Sequence, residues 1–155
     1  MKSKIVFYLL TGVLLFSCKT TPTPSVSVDY FIFGSAHCHC LNHCATLYKY
    51  TPAMLVKGAG ESCQPADYTY NGRTLGAGAI AKAEKLLLAV PAELYAAQDT
   101  VFGCPDCADQ GTFYVEVKKD GAVMSWRIDT NESDLPAFLK PFHQKIKETL
   151  EALRE

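Results

Sequence analysis

Two short segments of this chain carry side chains that can bind a metal or exchange electrons. The first covers residues 37–44 and reads H-C-H-C-L-N-H-C, and the second is C-P-D-C at residues 104–107. Thiolates and imidazoles are the ligands that Zn²⁺ and Cu(I) prefer in proteins. The same cysteines can pair as disulfides in an oxidising compartment. The segments are therefore compatible with three kinds of chemistry: disulfide cross-linking, metal binding and thiol–disulfide exchange.

The number of cysteines favours disulfides. Cys18 belongs to the N-terminal segment considered below, and an even number remains, which is typical of a disulfide framework in an exported domain. Each bond contributes about 2–4 kcal/mol to the stability of a small domain. We predict the local pair Cys104–Cys107 first, and a second bond between Cys63 and a cysteine of the first segment. The disulfide candidates are Cys38, Cys40, Cys44, Cys63, Cys104 and Cys107.

Metal binding is the alternative hypothesis. The two-residue gap in C-P-D-C lets both thiolates bind one ion, and a tetrahedral zinc or copper site would need two further ligands from the first segment. The compartment opposes this, because ligating thiolates must stay reduced where disulfides form readily. The candidate ligands are His37, Cys38, His39, Cys40, His43, Cys44, Cys104 and Cys107.

Thiol–disulfide exchange is the third hypothesis and the only enzymatic one. Thioredoxin-like motifs place the first cysteine at a helix N-terminus, whereas residues 108–111 here lead directly into a strand. No G-x-S-x-G, H-E-x-x-H or phosphate-binding glycine loop occurs in the sequence. Asp106 and Asp109 are expected to hold their loop through hydrogen bonds from side chain to backbone. We therefore expect a non-enzymatic domain with no catalytic residue and no cofactor.

The N-terminus indicates the compartment. Lys2 and Lys4 precede the apolar run Ile5–Phe16, which is too short to cross a bilayer, since a spanning helix needs about 20 residues. A basic start followed by a short apolar segment is typical of a secretory signal. The sequence Leu15-Phe16-Ser17-Cys18 resembles the lipobox of bacterial lipoproteins. That resemblance implies that the thiol of Cys18 takes a diacylglycerol and that Cys18 becomes the new N-terminus.

The chain divides into three parts on this interpretation. Residues 1–17 form a lipoprotein signal peptide. Residues 18–27 form the lipidated cysteine and a flexible tether rich in proline and threonine. Residues 28–155 form a single α+β domain. Lys19 is not the aspartate that marks retention in the inner membrane of some bacteria, so we expect the outer membrane of a Gram-negative bacterium.

The charge of the chain limits its partners. Of its 15 basic residues, two lie in the signal, which leaves 13 against 16 acidic residues. No cluster of lysine and arginine is present in the sequence, so nucleic acid is excluded as a partner. The expected partners are the membrane, through the lipid anchor, and another protein or a surface component of the cell.

Two predicted hairpins must position the cysteine segments. The β-rich runs Val28–Phe33 and Ala45–Tyr50 flank the first segment, and Ala53–Lys57 extends the second run after a bend at Pro52. Residues 58–78 contain several glycines together with serine, asparagine and aspartate, so we predict a long connection with little regular structure there.

The second hairpin follows the C-P-D-C segment. Thr112–Lys119 and Ala122–Ile128 flank Asp120-Gly121, a dipeptide that favours a two-residue type I′ turn. This turn fixes the register and places the apolar residues of both strands on one face. The predicted pairs are Val117 with Met124, Val115 with Trp126, Phe113 with Ile128, Lys118 with Val123, Glu116 with Ser125, and Tyr114 with Arg127.

Two helices are predicted from periodic apolar stripes. The first begins at Ala79 and ends at Pro91, which can open a further turn at residues 92–94. The last begins regularly near Pro141, and His143 lies off its stripe, so we expect this histidine to be solvated. The stripes are Ile80, Ala83, Leu87 and Val90 in the first helix, and Leu135, Phe138, Leu139, Phe142, Ile146, Leu150 and Leu153 in the last.

These elements give the order ββαββα. Each hairpin is followed by a helix, and both helices must bury their apolar stripes. We therefore predict an α+β domain in which the helices pack on one face of an antiparallel sheet formed by two hairpins.

The C-terminal half resembles small uncharacterised lipoproteins of Bacteroidetes-type bacteria. The resemblance covers Phe102 to Leu153 and rests on F-G-C-P-D-C-A-D-Q-G, the strand pair around Asp120-Gly121, Ile128-Asp129, and the helix start at Leu135-Pro136. It implies an envelope lipoprotein and transfers no activity. The element order is also similar, in architecture alone, to emfourin-like protein inhibitors of metalloproteases, from which no inhibitory residue can be transferred.

Overall fold

A seven-stranded sheet and three helices make up the part of the chain that the computed structural model describes, which is residues 27–38, 44–59 and 68–154. The strands are β1 Tyr30–Ala36, β2 Ala45–Thr51, β3 Met54–Lys57, β4 Thr74–Leu75, β5 Val101–Phe102, β6 Thr112–Lys119 and β7 Ala122–Asp129. The helices are α1 Ala77–Leu87, α2 Ala92–Ala96 and α3 Lys140–Ala152. The predicted α+β class is confirmed.

The strands follow the order β4-β3-β2-β1-β6-β7-β5, and every neighbouring pair except β5–β7 is antiparallel. Strand β1 lies between β2 and β6 and so joins the two predicted hairpins into one sheet. Ala36, at the end of β1, pairs with both Ala45 and Thr112. The loops that follow β1 and precede β6 therefore leave the sheet at the same end.

The β6–β7 hairpin has the predicted register. All six predicted pairs are present, including Val115 with Trp126 and Glu116 with Ser125. At the turn, Asp120 has φ 53° and Gly121 has φ 80°, the two positive values that a type I′ turn requires. Turn chemistry and alternation together were sufficient to predict this element.

One face of the sheet carries the core. The register places most of the large apolar residues of β1, β2, β3, β6 and β7 on this face, where the buried side chains of all three helices pack against them. Burial of each such side chain contributes about 1.5–3 kcal/mol. The sheet residues include Phe31, Phe33, Tyr48, Tyr50, Leu55, Val115, Val117, Trp126 and Ile128, and the helix residues include Ala83, Leu86, Leu94, Phe142, Ile146 and Leu150.

The opposite face of the sheet carries three tyrosines with two charged residues, which we call the tyrosine cluster: Tyr30, Tyr70, Tyr114, Glu116 and Lys49. The carboxylate of Glu116 accepts hydrogen bonds from the hydroxyls of Tyr30, at 2.9 Å, and of Tyr114. The ammonium of Lys49 lies 4.5 Å from the ring centroid of Tyr30 and 5.5 Å from that of Tyr70. The two faces therefore differ in chemistry.

The predicted order ββαββα is wrong in detail. Pro52 and Ala53 form a tight turn, so residues 54–57 return as a separate strand that pairs with β2 and do not extend it. The connection 58–78 contributes β4, and residues 101–102 add β5 parallel to β7. Strands of two residues are too short to show a period, which is why the sequence did not predict them.

The helices lie close to their predicted positions. Helix α1 begins two residues before the predicted Ala79, α2 occupies the further turn after Pro91, and α3 begins one residue before Pro141. None of the helices in the described ranges is long and apolar enough to cross a membrane. The predicted signal peptide, Cys18 and the tether up to residue 26 lie outside the described residues.

Candidate functional site

The structure brings the two cysteine segments into contact. The backbone N–H of Cys38 donates a hydrogen bond of 2.8 Å to Oδ2 of Asp106, across 68 residues of sequence. This contact follows from the pairing of β1 with β6, which places both loops at one end of the sheet. We call the described parts of the two loops, residues 37–38 and 104–111, the cysteine end.

Asp106 organises the C-P-D-C loop as predicted for an acidic turn residue. Its Oδ1 accepts a hydrogen bond of 3.2 Å from the N–H of Gly111, whose carbonyl accepts one of 3.2 Å from the N–H of Asp106. Asp106 and Asp109 have φ values of 64° and 56°, a left-handed conformation that aspartate adopts more readily than most residues. One carboxylate thus holds its own loop and the neighbouring one.

The predicted disulfide Cys104–Cys107 is present, with the two Cα atoms 5.5 Å apart. Both residues are exposed, and the N–H of Cys107 donates a hydrogen bond of 3.2 Å to the carbonyl of Cys104. Residues 105–108 form a turn and no helix begins at Cys104. In this bonded state the two sulfurs do not provide thiolates for a metal.

The other candidate ligands are only partly described. Cys38 and Cys44 are disulfide-bonded as well. His39, Cys40, His43 and Cys63 lie outside the described residues, so the predicted pairing of Cys63 stays a prediction. Within the described ranges, no group of three histidine, cysteine, aspartate or glutamate side chains is arranged to hold a metal ion.

Asp129 supports the backbone of the cysteine end, a role that was not predicted from the sequence. This residue is 4% exposed at the end of β7. Its Oδ2 accepts a hydrogen bond of 2.9 Å from the N–H of Cys104, and its Oδ1 accepts bonds from Nε2 of Gln110, at 3.1 Å, and from the N–H of Asn131, at 2.8 Å. Burial by itself would raise the pKa of Asp129. The hydrogen bonds from Asn131, Gln110 and Cys104, with the nearby His143, outweigh burial and lower this pKa below its ordinary value.

Gln110 links the two ends of the loop of residues 104–111 through hydrogen bonds. Its Nε2 also donates a hydrogen bond of 2.9 Å to the carbonyl of Cys104, and its Oε1 accepts one of 2.7 Å from the N–H of Ala108. The hydroxyl of Thr130 donates a bond of 2.8 Å to the carbonyl of Gln110. Gly111, with φ 85°, is needed because a Cβ atom there would overlap the ring of His37.

His143 is buried, so the prediction that it is solvated was wrong. It is 1% exposed and its ring centroid lies 5.2 Å from that of Phe113. Its Nε2 lies 3.0 Å from the carbonyl oxygen of Thr130, which can only accept, so Nε2 carries the hydrogen. Nδ1 has no hydrogen-bond partner among the described residues and lies 3.8 Å from the carboxylate of Glu132. The histidine follows Leu139 by four residues, and this helical spacing was the signal that the stripe is wider than assumed.

A groove of about 180 Å³ adjoins the cysteine end, between the end of the sheet and α3. Phe113 and Leu150 provide apolar lining, and His37 links the groove to the first cysteine segment. The charged residues that the described part of the chain brings to this groove are Lys147 and Glu151 of α3 and Arg154, which follows α3. The cysteine end and this groove form one continuous surface, which is the candidate site.

No model of a known protein family matches this chain, and neither does any curated protein. The lipobox at Cys18 and the resemblance to small lipoproteins therefore stay predictions.

Proposed function

We propose that this chain is a lipoprotein of the cell envelope, anchored by a lipid on Cys18 in the outer membrane of a Gram-negative bacterium. Its disulfide-bonded, non-enzymatic domain binds another protein or a surface component through the cysteine end. The observation that carries the proposal is the hydrogen bond from Cys38 to Asp106, which joins the two cysteine segments into one surface. Loops held by a rigid scaffold are where binding residues concentrate.

The oxidised state of the described cysteines supports a location in an oxidising compartment. Cys104 and Cys107 form a disulfide, and Cys38 and Cys44 are disulfide-bonded too. Disulfides persist in the bacterial periplasm and at cell surfaces and are rare in the cytosol. This agrees with the export signal predicted for residues 1–17 and with a tether of residues 18–27 that holds the domain away from the membrane.

The rigidity of the cysteine end favours binding. The carboxylates of Asp106 and Asp129 and the amide of Gln110 fix the backbone of the exposed loop before any partner arrives. A preorganised surface loses little conformational entropy on binding, so more of the contact energy becomes affinity. The adjoining groove provides an apolar floor with charged groups at its rim.

Intact-mass analysis of the mature protein, before and after alkylation, tests the anchor and the disulfides together. The proposal requires a chain that begins at a lipid-modified Cys18 and takes up alkylating reagent only after reduction. An unmodified Cys18, or four or more free thiols in freshly exported material, would contradict it.

Photo-crosslinking in intact cells tests the binding surface. A photoreactive residue at Ala108, on the exposed turn of the cysteine end, should form adducts with an envelope component. The matched control is Val123, which is 53% exposed and lies near the β6–β7 turn, at the opposite end of the sheet. Equal adducts from both positions, or none from Ala108, would overturn the assignment of the surface.

Zinc or copper binding is the second candidate, and the contact between the two loops favours it as well. Reduction would free Cys104 and Cys107 beside the segment that begins at His37 and Cys38. Elemental analysis of protein purified without an affinity tag would then find about one ion per chain, lost on Cys104→Ser. That result would contradict the proposal of a disulfide-bonded domain and support a metal-binding one.

Thiol–disulfide exchange is the third candidate, because the Cys104–Cys107 bond is exposed to other thiols. It predicts that the mature protein catalyses the reduction of insulin by a dithiol, with the activity lost on Cys107→Ser. Without that activity, the disulfide is structural.

A further inference from the structure

A second groove lies between α1 and α3, away from the cysteine end, and has a volume of about 230 Å³. Each helix contributes residues at helical spacing to its lining. On α1 these are Lys82, Lys85 and Leu86, at intervals of three and four residues, and on α3 the series begins at Lys145 and ends at Ala152. The groove is therefore bounded by a single face of each helix.

The groove has a net positive charge in a chain of formal net charge −1. Among the described residues, three lysines line it, Lys82, Lys85 and Lys145, and one carboxylate, that of Glu148, opposes them. Like charges that line one groove repel each other, and an anion bound among them reduces the repulsion.

Two of the lysines also have a structural role. The ammonium of Lys82 donates a hydrogen bond of 2.9 Å to the carbonyl of Ala152 at the end of α3. Lys85 lies in the last turn of α1, where a cation complements the helix dipole. Lys145 lies in the middle of α3, far from the helix C-terminus, so neither role applies to it. An ammonium has three donors, so Lys82 retains two for a ligand.

The rest of the groove lining is small or apolar. Thr149 and Ala152 are small, Leu86 is apolar and 1% exposed, and the hydroxyl of Thr149 adds a donor to the site. The lining therefore combines ammonium groups with apolar surface. It suits a ligand that carries a compact anion with several hydrogen-bond acceptors next to an apolar part.

We propose that the groove between α1 and α3 binds a phosphate group, held by the ammonium groups of Lys82, Lys85 and Lys145. Lysine binds phosphate as a point charge with several donors, and three of them match the three terminal oxygens of a phosphate. The phosphate reaches the groove either on the headgroup of a membrane lipid or free in solution. This site is separate from the cysteine end and does not depend on its function.

Nuclear magnetic resonance titration of the mature protein in a neutral detergent tests the site. One arm adds inorganic phosphate, and the other adds soluble dihexanoyl phosphatidylglycerol, each against sodium chloride at equal ionic strength. We expect saturable shifts of the backbone amides of Lys145, Thr149 and Leu86. Saturation by inorganic phosphate identifies the free ion as a ligand, and saturation by the lipid alone identifies a headgroup.

Two lysines of α3 provide a matched pair of variants. Lys145→Glu should weaken binding about tenfold or more, because it removes a charged hydrogen bond. Lys147→Glu changes the net charge equally and lies two residues away, but faces the groove at the cysteine end, so it should leave the affinity unchanged. Lys85→Gln is a second test that reverses no charge and should also weaken binding.

Either of two results would overturn the proposal. The first is the absence of saturable shifts with both ligands. The second is equal weakening by Lys145→Glu and Lys147→Glu, which would mean that net charge and not this groove determines binding. Lys145 and Lys147 are both exposed, and the thermal unfolding temperature of each variant shows that the fold is retained.

Discussion

The cysteine end and the tyrosine cluster are both organised around one carboxylate, yet they use it differently. At the cysteine end, Asp129 accepts hydrogen bonds from two backbone N–H groups and from the amide of Gln110. In the tyrosine cluster, Glu116 accepts bonds from the hydroxyls of Tyr30 and Tyr114. The first carboxylate holds mainly backbone groups, whereas the second holds side-chain hydroxyls.

The difference follows from the surrounding backbone. Tyr30 and Glu116 stand on β1 and β6, whose backbone groups are already paired in the sheet. Residues 104–111 have no such ladder, and an unpaired buried N–H costs about 1–3 kcal/mol. Where the chain leaves the sheet, a carboxylate therefore accepts hydrogen bonds that a neighbouring strand would otherwise accept. We expect the loss of this carboxylate to lower the free energy of unfolding more than the loss of Glu116 does.

The largest effect is expected from Asp129→Asn. The variant keeps the size of the side chain but has one acceptor oxygen, so at least one of the donors on Cys104, Gln110 and Asn131 loses its partner. We expect the free energy of unfolding to fall by about 3 kcal/mol. Urea unfolding followed by the fluorescence of Trp126, the single tryptophan and 3% exposed, measures it.

The control for this variant is Asp134→Asn, at an exposed aspartate five residues further along the chain. It removes the same charge and should change the free energy of unfolding by less than about 0.5 kcal/mol. Similar losses in the two variants would show that overall charge, and not the hydrogen bonds of Asp129, is responsible.

Acid should weaken the protein through the same residue. The pKa of Asp129 in the folded state lies below its ordinary value of 3.8, so the folded state favours the ionised form. Its contribution to stability is therefore complete above pH 3.8 and is lost as the pH falls through the folded pKa. Urea unfolding at a series of pH values should show a steeper fall for the native chain than for Asp129→Asn. Parallel curves would show that Asp129 does not carry this dependence.

The third prediction concerns the loss of the Cys104–Cys107 disulfide and its effect on the free energy of unfolding. A disulfide that closes so short a loop constrains the unfolded chain little, so Cys104→Ser with Cys107→Ser should cost about 2 kcal/mol. Cys104 also donates to Asp129, so the two changes act on one network. In the Asp129→Asn background the same pair of substitutions should cost less than in the native chain, as a double-mutant cycle measures. Full additivity would mean that the disulfide and the carboxylate act independently.

The sequence predicted those parts of the fold that depend on local pattern. The β6–β7 register followed from Asp120-Gly121 and strict alternation, and the start of α3 followed from Pro141. The pair Cys104–Cys107 followed from a spacing of three residues. Each of these features is decided by residues close together in the chain.

Features that depend on distant contacts were not predictable in the same way. The meeting of Cys38 with Asp106 requires β1 to pair with β6, and no residue in either strand specifies its neighbour. Burial of His143 depends on where α3 crosses Phe113. The support from Asp129 required both the register of β7 and the path of the loop, whereas its position at a strand end resembled that of an ordinary exposed aspartate.

The smallest effect is expected from Glu116→Gln in the tyrosine cluster, where the sheet already holds the backbone. We expect the free energy of unfolding at neutral pH to change by about 1 kcal/mol or less. The informative measurement is the phenolate absorbance at high pH. Burial, then the hydrogen bond to Glu116 and its charge, raises the pKa of Tyr30 to about 12, and the pKa of Tyr114 is raised by burial and Glu116 as well.

Both tyrosines should therefore ionise at lower pH in Glu116→Gln, because the neutral amide no longer opposes a phenolate. The raised pKa of Tyr30 also determines how the stability of the fold changes with pH. With a folded pKa above the ordinary value of 10.0, Tyr30 destabilises the native fold as the pH rises from 10.0 towards 12, since only the unfolded chain ionises freely there. The variant should lose less stability over this range than the native chain. An unchanged titration of Tyr30 would mean that burial alone sets its pKa, and that Glu116, unlike Asp129, is not the centre of its region.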